Sequence, residues 1–136
     1  MSKFEKLTRY LPALEDDAIG TWVIDRENDG SSEHPIQLPF VDYSDTVNNF
    51  VRDVYDFNTQ YPELGLNRYG EILEQRGIAW NSRAMSEADV SALDAQSIMA
   101  LIMGAVRADR FCEGALMASF KDGSIKKWLE RLKELD

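Results

Sequence analysis

The sequence predicts an α+β domain that is mainly helical, with about five helices and one β-hairpin packed on the central helix. Three observations carry this. Apolar residues recur at helical spacing through most of residues 44–136. Runs rich in β-branched and aromatic residues occur only at 21–26 (Thr-Trp-Val-Ile-Asp-Arg) and 36–43. Between those runs lies Glu-Asn-Asp-Gly-Ser-Ser-Glu-His-Pro, a strong loop signal. The 136 residues, 44% apolar and 29% charged, suit one globular domain spanning 1–136. It divides into an N-terminal helix (1–15), a hairpin region (20–43) and a helical region (44–136).

The elements follow in order. Phe4, Leu7, Leu11 and Leu14 stand at helical spacing, with Pro12 set to break or restart the turn. Pro39 places the second strand at an edge or a bulge. Ser44 is a natural N-cap for a helix with Val47, Phe50, Val51, Val54 and Phe57 on one side, ending before Pro62. Asn67 is expected to cap a shorter helix stopped by Gly77, with Ile78 and Trp80 in the connector that follows. Asp94 caps the most apolar helix, which is apolar almost all round from Ile98 to Val106 and is therefore the central, buried one. Gly123 closes a helix and Ser124 caps the last, where Ile125, Trp128, Leu129 and Leu132 oppose Lys126, Lys127, Arg131 and Lys133.

Gln96, Ala100, Gly104, Ala108 and Cys112 recur every four residues along the central helix. Such a stripe lets another backbone approach closely, either inside the domain or across a homodimer, unless Gly104 marks a kink. Trp22, Trp80 and Trp128, with Tyr43, Tyr55, Tyr61 and Tyr69, supply aromatic surface for core, pocket or partner.

Fifteen Lys and Arg against 24 Asp and Glu leave a net charge of −9. That charge repels nucleic-acid phosphates and anionic lipid, so no direct nucleic-acid binding is expected. Residues 15–33 hold seven acids and one base, whereas 121–136 are slightly basic. An acidic decoy occupying a partner's nucleic-acid site is one use of such a cluster. One cysteine, Cys112, allows no internal disulfide, no cluster exists to hold zinc, and a buried inert thiol is its expected state. The N-terminal Met-Ser-Lys-Phe-Glu-Lys is charged where a signal peptide needs apolar residues, and the longest apolar run is nine residues. Both point to the cytoplasm, with no membrane contact.

Three stretches together resemble a known family: the Asp25-Arg26-Glu27-Asn28-Asp29-Gly30 loop, the run from His34-Pro35-Ile36-Gln37 to Pro39-Phe40-Val41, and the helix from Leu101 to Cys112. The likeness extends to the Trp128-Leu129 ending. The family is one of small bacterial proteins, mainly Gram-positive, classed only as a domain of unknown function. The resemblance implies a stand-alone bacterial domain and brings no site residues with it.

Asp25, Glu27, Asp29 and Gly30 match the start of an EF-hand loop, but Ile36 stands where the bidentate Glu is needed and the flank is strand-like. An acidic turn without metal is therefore expected, and no cofactor. Arg107 and Arg110, three apart where the buried helix regains polar residues, suit either an anion clamp or ion pairs with the acidic hairpin. His34, beside Glu33 in the loop, is the one histidine and so the one candidate for His-dependent proton transfer. Phosphate loops, dinucleotide turns, zinc helices and nucleophile elbows are all absent from the sequence. The expectation is a non-enzymatic binding or protein-interaction module, with a possible protein partner or homodimer. The alternative is a small-molecule or nucleotide-handling enzyme, with an anion site at Arg107 and Arg110 served by Asp25, Glu27 or His34.

Overall fold

A computed structural model describes residues 4–12, 20–23, 40–109, 112 and 114–135. Among them are seven α-helices rather than about five. In chain order these are α1 (Glu5–Thr8), α2 (Asp45–Gln60), α3 (Tyr69–Gln75), α4 (Ser82–Glu87), α5 (Ala95–Ala108), α6 (Ala115–Lys121) and α7 (Ser124–Leu135). Short 3-10 turns at Pro62–Leu64, Leu66–Arg68 and Val90–Ala92 join some of them. The helix the spacing did not show is α4, a six-residue piece with too few turns to display a period in the sequence.

The predicted hairpin is not borne out in the form expected. Two four-residue strands, β1 (Gly20–Val23) and β2 (Phe40–Tyr43), pair antiparallel with Gly20 opposite Tyr43 and Val23 opposite Phe40. Of the run expected from 36, residues 40–43 form β2, and residues 24–39 lie outside the described residues. Packing of a hairpin along the central helix is likewise not what is seen. The link runs through Tyr43, whose hydroxyl donates to Asp109 Oδ1 at 2.8 Å, at the C-terminal cap of α5.

Helix α5 is the centre, as its composition predicts. Every residue from Ser97 to Val106 is buried, and α2, α3, α6 and α7 pack around it, with α1 against α2 and α7. The Asp94 side chain caps α5 by accepting from the Ser97 amide at 2.9 Å. Ser44 caps α2 through the Val47 amide at 3.4 Å. Helix α2 buries Val47, Phe50, Val54 and Phe57, and Phe50 meets Tyr10 and Phe120 edge-on. The C-terminal stripe of Ile125, Trp128, Leu129 and Leu132 is buried too.

Two predicted caps are corrected. Asn67 lies inside a 3-10 turn and accepts from Asn58 Nδ2, so α3 starts without a side-chain cap. Ser124 is the first residue of α7 and donates its amide to Asp122 Oδ1 at 2.8 Å. In both places the residue type was right for a cap, but the chain turned one or two residues away from where periodicity placed it.

The basic face of α7 is more than a solvated surface. Lys127 Nζ donates to the Ser86 carbonyl at 2.6 Å, and Arg131 donates to the carbonyls of Val90 and Ser91 at 3.0 and 3.1 Å. These cations bond carbonyls at the end of α4 and in the 3-10 turn after it, where the Val90 carbonyl also accepts from the Leu93 amide at 3.1 Å. They thereby hold the segment that carries Trp80 and Met85 against the helical core.

Candidate functional site

The connector from Ile78 to Asn81 brings Trp80 onto α5 at Gly104. There the indole Nε1 donates to the Gly104 carbonyl at 3.1 Å. A Cβ at position 104 would lie 3.3 Å from Trp80 Cδ1 and Nε1 and 3.1 Å from Met85 Cε, so glycine is what admits this approach. Tyr69 braces the indole edge-on, with ring centroids 5.2 Å apart. Held this way, Trp80 still leaves 42% of its surface exposed. A half-exposed tryptophan with its polar atom already bonded presents only apolar ring surface.

That surface forms one wall of a cavity of about 300 Å³. Asn81 and Met85 continue the wall at the start of α4, Ala105 and Ala108 come from α5, and Ala115 and Ser119 from α6. Cys112 also lines it. Asn81 Oδ1 is occupied capping α4, where it accepts from the Ala84 amide at 2.8 Å. The small-residue stripe of α5 thus has two uses. At Ala100 and Gly104 it permits close packing, and at Ala108 and Cys112 it leaves space. Cys112 is exposed rather than buried, because α5 ends at Ala108 and the thiol stands beyond the packed part of the helix.

Of the five residues the sequence singled out, Arg107 alone is placed. Arg110, Asp25, Glu27 and His34 lie outside the described residues. Arg107 sits in the last turn of α5 with its guanidinium over the Tyr55 ring of α2, 5.5 Å from the centroid. Its Nε is buried without a hydrogen-bond partner, and it forms no ion pair among the described residues. No group of three His, Cys, Asp or Glu side chains suited to a metal ion occurs among the described residues.

Sequence reasoning missed a buried polar cluster. Asp53 is only 5% exposed, in the middle of the apolar face of α2. Its Oδ2 accepts from Arg9 Nη2 at 2.8 Å and from the Tyr10 hydroxyl at 2.5 Å. Burial alone pushes the Asp53 carboxyl up, but the bonds from Tyr10 and Arg9 hold it below the usual aspartate range. Burial, and then the bond to Asp53, raise the Tyr10 hydroxyl. The signal was present: Asp53 stands three residues after Phe50 and four before Phe57, a core position by spacing. The cluster fastens the N-terminal segment to α2 and is structural.

No helix among the described residues is long and apolar enough to cross a membrane. The whole sequence, residues 1–136, matches a family of unknown function, DUF6508. No curated protein and no solved structure matches the chain.

Proposed function

We propose that this chain, which belongs to the DUF6508 family, is a non-enzymatic binding module of the bacterial cytoplasm whose contact site is the cavity beside Trp80. One observation carries the proposal: Trp80 is fixed by Gly104 and Tyr69, yet left half-exposed on the wall of an apolar hollow. Exposed apolar surface is costly to keep, and a preformed apolar concavity with a few polar groups is the usual form of a ligand site. The occupant is a small molecule or the side chain of a protein partner. The absence of recognised catalytic signatures in the sequence supports binding without turnover.

The test is a titration of small apolar and charged compounds into ¹⁵N-labelled protein. Binding at this site shifts the Trp80 indole N–H together with the amides of Gly104 and Cys112. Shifts confined to residues remote from these three, for every compound, would overturn the proposal.

A second reading draws on Arg107. Its buried, unpartnered Nε is the feature an anion would satisfy, and Arg110 follows three residues later in the sequence. An enzyme of small anionic or nucleotide substrates would use that pair, with Asp25, Glu27 or His34. Shifts around Arg107 and Tyr55 on adding inorganic phosphate would favour it.

A further inference from the structure

The walls of the Trp80 cavity are held in different ways. The α5 wall belongs to the buried centre of the fold, and Trp80 is bonded to the Gly104 carbonyl. The remaining wall, with Ala115 and Ser119, stands on α6, a helix of seven residues. A helix that short does not hold itself in water, so its place is set by what it is fastened to. We infer that the β1–β2 ladder controls this wall through the Tyr43 hydroxyl, so that displacing β2 at Tyr43 moves α6 and reshapes the cavity. The inference concerns regulation of the contact site and rests, for its functional sense, on the binding reading above.

The hydrogen bonds at the start of α6 carry the argument. The first helical bond of α6 runs from the Ala118 amide to the Gly114 carbonyl at 3.0 Å, so the four amides before it need other acceptors. The Ala115 amide donates to the Cys112 carbonyl at 3.0 Å, and those of Gly114 and Leu116 donate to Asp109 Oδ1 at 3.1 and 3.2 Å. The Met117 amide donates to the Tyr43 hydroxyl oxygen at 3.1 Å, and that hydroxyl donates to Asp109 Oδ1 at 2.8 Å. Cys112 and Asp109 follow directly on α5, whereas Tyr43 arrives from the ladder. Tyr43 therefore holds Met117 directly and Leu116 through Asp109. The cap and the cavity also share residues: Cys112 and Ala115 belong to both, with Ala108 and Ser119 beside them in the lining. A movement at the cap is thus a movement of the lining itself.

The ladder offers a lever on Tyr43 from the neighbouring strand. Gly20 stands opposite Tyr43, and a Cβ there would lie 2.7 Å from the Asp42 carbonyl oxygen and 3.1 Å from Tyr43 Cα. Both neighbours are backbone, which cannot swing aside as the end of a long side chain does. Gly20→Ala must therefore displace β2 where Tyr43 leaves it.

The experiment records the methyl signals of Ala105 and Ala115 and the amide of Ser119 in four ligand-free proteins: the parent, Gly20→Ala, Tyr43→Phe and the double variant. Gly20→Ala should shift Ala115 and Ser119 on α6 and leave Ala105, inside the buried run of α5, in place. In the Tyr43→Phe background, Gly20→Ala should move neither α6 signal further, because the link is already cut. Tyr43→Phe should also speed hydrogen exchange at the Ala115 and Leu116 amides, which Tyr43 does not itself bond, by about five- to thirtyfold, as for a lost cap. Asp53→Asn, which destabilises the protein without touching this cap, should leave those two amides unchanged.

Equal α6 shifts from Gly20→Ala with and without the Tyr43 hydroxyl, or no α6 shift in either background, would overturn the coupling. Should Gly20→Ala not fold, Val41→Ala takes its place with the same two outcomes, since Val41 is a buried side chain of β2 whose trimming loosens that strand. All these signals are read without a ligand. Failure of every compound to bind at Trp80 would therefore overturn the binding reading alone, and shifts that do not depend on Tyr43 would overturn the coupling alone.

Discussion

The hydroxyl of Tyr43 and the carboxylate of Asp109, 66 residues apart in sequence, meet at 2.8 Å and jointly cap helix α6. Asp109 Oδ1 also accepts from the amides of Gly114 and Leu116 at 3.1 and 3.2 Å, and the Tyr43 oxygen accepts from the Met117 amide at 3.1 Å. Gly114, the residue at the cap position, has no side chain to do this. The cap is thus assembled from the last residue of β2 and the end of α5, which ties the two-stranded ladder to the helices.

Because one shared oxygen serves several donors, the two residues should act as a unit. Tyr43→Phe and Asp109→Ala are each expected to cost about 1–2 kcal/mol, the range for a lost cap. The double variant should cost less than the sum by about 0.5–1.5 kcal/mol. Urea denaturation of the four proteins measures this, and strict additivity would show that the hydroxyl and the carboxylate cap independently.

Asp53 makes stability depend on pH. Its carboxyl is held below the unfolded value of about 3.9, so its contribution is complete above that value and is lost as pH falls through the lower folded value. Tyr10 acts at the opposite end. Its raised hydroxyl contributes fully below the unfolded value of about 10 and loses that contribution as pH rises through the higher folded one. Asp53→Asn should therefore cost about 1–3 kcal/mol at pH 7, the range for hydrogen bonds to a charged group. The gap from the parent protein should narrow only below about pH 4. A gap that is constant from pH 7 to pH 3 in urea titrations would show that the carboxylate charge contributes nothing.

Periodicity made the helical core legible because burial is repeated along an element. The all-round apolar run of α5, the face of α2 and the stripe of α7 are each visible from spacing. Contacts made by one residue with a distant one leave no such repeat. Asp53 reads as a polar interruption until Arg9 and Tyr10 are seen beside it, and Asp109 reads as an interleaved acid near Arg107 until Tyr43 arrives. The same holds for the cavity. Trp80 was placed in a connector, and Ala108 and Cys112 on a small-residue stripe, but only the crossing of that connector over Gly104 joins them. The anion pair could be named from its spacing, whereas whether Arg107 finds a partner depends on how α2 and α5 cross.

Trp128 tests what an unmatched polar atom costs. It is 1% exposed, and its indole Nε1 has no hydrogen-bond partner. Trp128→Ala should cost about 3–5 kcal/mol, as expected for an aromatic removed from a core. Trp128→Phe also leaves space, but it removes a donor whose burial costs about 1–3 kcal/mol. The two effects oppose, so the net cost should stay below about 1.5 kcal/mol in thermal or chemical denaturation. A cost for Trp128→Phe close to that of the alanine variant would mean that the indole N–H is not a burden.

Gly104 separates helix propensity from packing, because the two push in opposite directions there. Alanine in place of glycine within a helix is worth up to about 1 kcal/mol. The added methyl, however, lies 3.1 Å from Met85 Cε and 3.3 Å from two indole atoms of Trp80. The methionine end can move aside, whereas the indole is anchored to the carbonyl of the same residue and must shift as a body. Gly104→Ala should therefore change stability by less than about 1 kcal/mol while displacing Trp80 outward. Gly104→Val adds two more carbons on a stiff side chain, and overpacking should win, with a loss of about 1–3 kcal/mol. Tryptophan emission measures the displacement: both variants should shift to longer wavelength as the indole gains water, and Trp80→Phe should remove the difference between them and the parent. Unchanged emission in Gly104→Ala would mean that Met85 alone absorbs the methyl and that the indole position does not depend on glycine.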